Sequence, residues 1–203
     1  MKKTLKRITV LALALAMIMS FAGCGETEKA EAAVTTVLES FKMGDLDNAE
    51  EYMNVEDMTG DGDEGIGLDG EEMLKAMFQN LDYKIISSEL MDDGSVIVKT
   101  EITATDMAPV LSDFMASAIE YAFATAFVTP QPTDEELEKI MEDMFTECAT
   151  KPDLATVTNT VDITVTETAE GWRLADDELF VDAVTGGLLT AADEMEAAFS
   201  EWE

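Results

Sequence analysis

Histidine is missing from this chain altogether. Without it no Ser-His-Asp or Cys-His nucleophile can be assembled and no imidazole-ligated metal centre can form, which removes much of the hydrolase and metalloenzyme repertoire. Cysteine is nearly as scarce: Cys24 and Cys148 are the only two, too few for a disulfide framework. Cations are few as well, 12 Lys and Arg against 44 Asp and Glu for a formal charge of −32. A surface so short of positive charge lacks the clustered cations that track nucleic-acid phosphates, and anionic lipid headgroups repel it. No nucleic-acid partner is expected, and the acidity by itself serves solubility.

The positive charge that does exist is unevenly placed. Lys2, Lys3, Lys6 and Arg7 open the chain, and ITVLALALAMIM at residues 8–19 follows as an uncharged apolar run. A permanent bilayer-spanning helix needs roughly 20 such residues, so the pattern reads as a secretory signal. The next residues, Phe21-Ala22-Gly23-Cys24, resemble the lipobox of bacterial lipoproteins, in which small residues precede an invariant cysteine. Phe21 stands where that family usually has leucine. The resemblance implies peptidase recognition through Phe21, Ala22 and Gly23, cleavage before Cys24, and diacylglycerol in thioether linkage on Cys24. The expected location is the extracytoplasmic face of a cell membrane, anchored by lipid. Two acyl chains give stable anchorage, at about 0.8 kcal/mol per buried CH₂. Cleavage leaves 180 of the 203 residues and removes four cations, so 8 Lys and Arg face 44 Asp and Glu, a formal −36. Residues 24–203 suffice for one domain and are too few for the two lobes of a typical solute-binding lipoprotein.

Along that domain, Ala30, Ala33, Val34, Val37, Leu38 and Phe41 share one face of a helix over residues 28–43, with Gly44 as its C-terminal cap. Asp45 or Asp47 caps a short second helix carrying Ala49, Tyr52 and Met53. A glycine-rich acidic stretch at 55–72 precedes a third helix, EEMLKAMFQNL. Two strands follow, DYKIISSELM and SVIVKTEITATD, joined at Asp92-Asp93-Gly94. In the second, Val96, Val98, Thr100, Ile102 and Ala104 share a face opposite Lys99, Glu101 and Thr103.

A long apolar helix is expected over 107–128, with a wide stripe that includes Phe114, Ile119, Phe123 and Phe127. Asp113 and Glu120 inside it argue against a membrane span. Thr133 and Glu136 form a capping box for the next helix, where Leu137, Ile140, Met141, Met144, Phe145 and Cys148 fall on one stripe. Cys148 therefore reads as a small core hydrophobe with no basic neighbour to activate it. A third strand alternates Val157, Val161, Ile163 and Val165 against Thr and Asp, with Asn159 the exception, and Glu170-Gly171 turns it into WRLADDELF. A final helical stretch over 179–202 is broken at Gly186-Gly187.

Helices, hairpin, helices, hairpin and helix in that order give an α+β class, with a curved antiparallel sheet of about four strands whose apolar face helices cover. The segments GDLDNAEEYM, AMFQNLDYKI and ITVTETAEGWRLADDELFVDAVTGGL resemble the NTF2-like superfamily, in particular lipoproteins of Gram-positive bacteria with such domains. The resemblance implies a cone-shaped sheet around a cavity and implies no activity, since that scaffold serves enzymes and binding modules alike. It also favours a single-membrane organism.

Three functions compete at this level. The first is a non-catalytic, lipid-anchored module that binds a small molecule or an envelope protein, with the Phe114–Phe127 face filling the cone, forming its wall or pairing two copies. The second is a small lyase or isomerase, for which a cone-buried acid, base and tyrosine would be drawn from Tyr83, Asp162 and Asp176. The third is calcium binding: Asp61, Asp63, Asp69 and Glu72 stand at positions 1, 3, 9 and 12 of a loop spaced like an EF-hand. Gly65 and Ile66 depart from that pattern at the fifth-position ligand and the sixth-position glycine.

Overall fold

A computed structural model describes residues 24–55 and 71–200. The described residues open with α1 (Cys24–Met43), α2 (Leu46–Glu50) and α3 (Glu71–Phe78). Next come β1 (Asp82–Leu90) and β2 (Val96–Thr105), then α4 (Met107–Thr125) and α5 (Asp134–Ala149). The order closes with β3 (Thr156–Thr168), β4 (Gly171–Leu174), α6 (Glu178–Val184) and α7 (Leu188–Ser200). Gly44 ends α1 at φ +69°, and Asp45 is the residue that caps α2, its side chain accepting from Asn48 N. The break in the C-terminal helices falls at Gly186 and Gly187, both at positive φ.

The four strands form one antiparallel sheet in the order β1-β2-β3-β4, open at both edges. β2 and β3 pair without a slip from Val96↔Val165 to Thr105↔Thr156, whereas β1 carries a bulge between Ile85 and Ser87 that leaves Ile86 exposed. Alternation sets the faces: Val96, Val98, Thr100, Ile102 and Ala104 are all buried, and Lys99 faces solvent in an ion pair with Asp162. α1 lies across all four strands, and α6 packs on β2 and β3. Its buried Ala30, Ala33, Val34, Val37, Leu38 and Phe41 are the six residues that share its apolar stripe. Phe41 stacks on Phe78 with centroids 5.1 Å apart and meets Phe180 at 6.5 Å. Such pairs add about 0.5–1.5 kcal/mol each to the burial of the rings.

Both hairpin turns lie at one end of the sheet, together with the N-terminal half of α1, where Ser88 of β1 donates to Glu31. α4 and α5 leave from the other end. There Asp106 N donates to Ala155 O at 2.9 Å and Met107 N to Gly186 O at 3.0 Å. This helical hairpin is rooted by Met107, Val110, Phe145, Cys148 and Ala149, all buried, and by the edge-on contact of Phe114 with Phe145.

The hairpin corrects two expectations. α4 stops at Thr125 rather than continuing to residue 128, because residues 126–127 turn toward Pro130 and Pro132. Its wide apolar stripe is buried only at the base: Phe123 is 78 % exposed and Phe127 97 %. On α5 the expected stripe is likewise buried only at its end, in Phe145 and Cys148, with Leu137 exposed. The cause is reach, since the sheet and α1 end below these residues and α5 covers α4 along one side. No helix among the described residues is long and apolar enough to cross a membrane.

Candidate functional site

The sequence-derived candidates do not come together. Tyr83 pairs with buried Ile102 and so belongs to the helix-covered face of the sheet, whereas Asp162 pairs with Lys99 on the opposite, solvent face. Lys99 Nζ lies 3.3 Å from Asp162, a cross-strand ion pair with both side chains half exposed. Asp176 is exposed in the segment after β4. The Tyr83 phenol is held above its usual pKa of 10.0, first by burial and then by its hydrogen bond to Glu39 and that carboxylate's charge. Lys42 sits 5.5 Å from its ring centroid. These contacts fix β1 against α1 and leave no acid and base facing a shared space.

Phe21, Ala22 and Gly23 lie outside the described residues, and Cys24 is the first residue of α1. Asp61, Asp63 and Asp69 also lie outside them. Glu72 falls in the first turn of α3, where only the backbone is described. Among the described residues no three His, Cys, Asp or Glu side chains are grouped to hold a metal. Cys148 is buried and free.

A different set of residues converges at the hairpin end of the sheet. On α1, Lys29, Ala32 and Thr36 follow at helical spacing on the flank of the core stripe. Beside them run Tyr52, just after α2, and Trp172 and Arg173 of β4. Together they line an open groove of about 560 Å³. Two hydrogen bonds join the sides: Leu174 N donates to Tyr52 O at 2.7 Å, and Arg173 Nη1 to Glu51 O at 3.3 Å. Thr36 Oγ1 donates back to Ala32 O at 2.8 Å.

The chemistry of this groove is unlike the rest of the surface. Two of the eight cations beyond residue 23, Lys29 and Arg173, line it, and neither makes an ion pair among the described residues. They are matched by Glu51 and Glu170, so the groove is locally neutral on a strongly anionic chain. Trp172 Nε1 is buried with no hydrogen-bond partner. An unsatisfied buried donor of this kind costs about 1–3 kcal/mol. Nothing local in the sequence announced this site, because Lys29 and Trp172 are separated by most of the chain. The isolated tryptophan after the Glu170-Gly171 turn was its one visible signal.

Set against known proteins, the chain matches no protein-family model, no characterised protein and no solved structure.

Proposed function

We propose that this chain is a lipid-anchored, extracytoplasmic binding module on an NTF2-like scaffold, without catalytic chemistry, and that the groove between α1 and β4 is where it takes a small molecule. The observation that carries the reading is a groove lined by Tyr52 and Trp172 in which Lys29 and Arg173 have no carboxylate partner among the described residues. A fitting ligand offers a negative group to the two cations and a flat apolar body to Tyr52 and Trp172. Glu51 and Glu170 on the same rim disfavour a multiply charged anion.

Location supports the same reading. Lys29 stands five residues along α1 from Cys24, roughly 8 Å at the helical rise of 1.5 Å per residue. A diacylglyceryl group on Cys24 would therefore hold the groove close to the bilayer surface, within reach of molecules that partition there. The anchorage follows from the lipobox resemblance at residues 21–24 and the cationic, apolar presequence before it.

One experiment reads both parts. The chain is extracted from its own envelope in mild detergent, and its native and denatured masses are compared for wild type and for a Lys29→Ala/Arg173→Ala variant. A covalent diacylglyceryl mass on the peptide beginning at Cys24 supports the anchor, and an unmodified cysteine overturns it. A small-molecule mass that is present on wild type, lost on denaturation and absent from the variant supports the groove. A bare wild-type chain, or equal capture by both proteins, overturns it.

A further inference from the structure

α4 carries a wide apolar stripe, with Asp113, Ser117 and Glu120 on the remaining arc, yet this helix is covered on a single side. α5 and α7 flank it there. Beyond its rooted base, Ala116, Ile119 and Phe123 follow at spacings of three and four residues and face solvent, and Phe127, in the turn after the helix, is exposed as well. Phe123 at 78 % and Phe127 at 97 % are the two most exposed large apolar side chains among the described residues, and Ile119 and Val128 beside them are about half exposed. A contiguous patch of this kind marks an interaction surface.

Charge decides what covers it. At the base of the hairpin the acid is neutralised: Asp113 is paired with Lys151 at 2.7 Å. Toward the tip it is not. Glu120 borders the stripe, and Asp134, Glu135, Glu136 and Glu138 crowd the exposed start of α5 around a single cation, Lys139, none in an ion pair among the described residues. A second copy of this chain would bring the same acids against these, and an anionic bilayer would be repelled in the same way. A segment that is apolar along one stripe and basic along its flanks satisfies both features.

We infer that the exposed end of the α4–α5 hairpin docks a cationic amphipathic helix of a partner protein. Its apolar stripe lies on Ile119, Phe123 and Phe127, and its Lys and Arg side chains face Glu120 and the first turn of α5, a helix-on-groove mode. This surface leaves the sheet from the end opposite the groove at α1 and β4, so it stands or falls independently of that site and of the lipid anchor.

The test uses the chain from residue 24 with Cys24→Ser, so that no acyl chain contributes. The probe is a synthetic Leu/Lys amphipathic helical peptide, paired with a Ser/Lys peptide of equal charge. Binding of the Leu/Lys peptide at physiological salt, weakened about tenfold or more by Phe123→Ser/Phe127→Ser, supports the inference, as does equal, weak binding of the Ser/Lys peptide to both proteins. Both substituted side chains are solvent-exposed, so the variant keeps its fold, and unchanged thermal unfolding checks this. Leu/Lys binding that ignores the two phenylalanines overturns it. So does a wild-type dimer in sedimentation equilibrium that the same substitutions dissociate, or flotation with phosphatidylglycerol vesicles that they abolish.

Discussion

Gly186 shows how much one residue can join. It sits at φ +67°, and a Cβ built there would fall 1.7 Å from the carbonyl oxygen of Thr105, the last residue of β2. Its own carbonyl accepts from Met107 N, so the strand end, the start of α4 and the turn before α7 meet at this glycine. Gly187 has a similar φ of +81° with nothing within 4 Å of its Cβ position. The left-handed conformation costs an L-residue roughly 1–2 kcal/mol, and Gly186→Ala adds a backbone collision to that. Gly186→Ala is expected to destabilise the chain by more than about 2 kcal/mol in urea unfolding, with Gly187→Ala costing only the conformational part. Equal losses would show that the close approach relaxes without cost. The pair was legible in the sequence as a helix break. That its first member is pinned against a strand eighty residues earlier was not, because composition carries no information about which backbone approaches which.

The elements themselves were readable in proportion to how completely they are covered. β2 lies between two strands and under α1 and α6, so its alternation translates directly into buried and exposed faces. α1 crosses the whole sheet, and its six-residue stripe is its core face. The α4–α5 hairpin read less well, since periodicity identifies residues that share a face and cannot say whether anything lies against it. Its local chemistry was nevertheless visible: Thr133 N donates to Glu136 Oε2 at 2.9 Å and Glu136 N donates to Thr133 Oγ1 at 3.3 Å, completing the capping box. Losing a threonine N-cap costs about 1 kcal/mol. Because the distal half of α5 has few buried neighbours, that loss is expected to stay local in Thr133→Ala. Hydrogen exchange will speed up in the first turns of α5 and remain unchanged in β2 and β3. Faster exchange throughout the sheet would mean that the hairpin tip and the core unfold as one unit.

For the molecule as a whole, repulsion is the dominant electrostatic fact. Over residues 24–203, 44 acids stand against 8 cations. The ion pairs Lys42–Asp82, Lys99–Asp162 and Lys151–Asp113 are all partly exposed, where such pairs contribute only about 0–1 kcal/mol. Raising the ionic strength to about 0.15 M shortens the screening length to about 8 Å, which weakens long-range repulsion more than it weakens contacts at 3–4 Å. The melting temperature is therefore expected to rise with sodium chloride, by roughly 2–4 °C for each kcal/mol recovered at this chain length. A flat or falling curve would show that the few ion pairs outweigh the repulsion. The α+β class and the four-strand antiparallel sheet were legible from element order. The groove at Lys29, Tyr52, Trp172 and Arg173 was not, since it exists only once α1 is laid across β4.

The hydrogen bond from Asp106 N to Ala155 O, beside the last β2–β3 pair at Thr105 and Thr156, closes the neck of everything between those two strands. The sheet therefore does not measure the length of what it carries there. Residues added or removed around 126–133 alter how far the hairpin extends without shifting any strand register or uncovering a core side chain. The tip behaves as an exchangeable cassette on a fixed base, where a new partner can be acquired while the sheet's folding is left untouched.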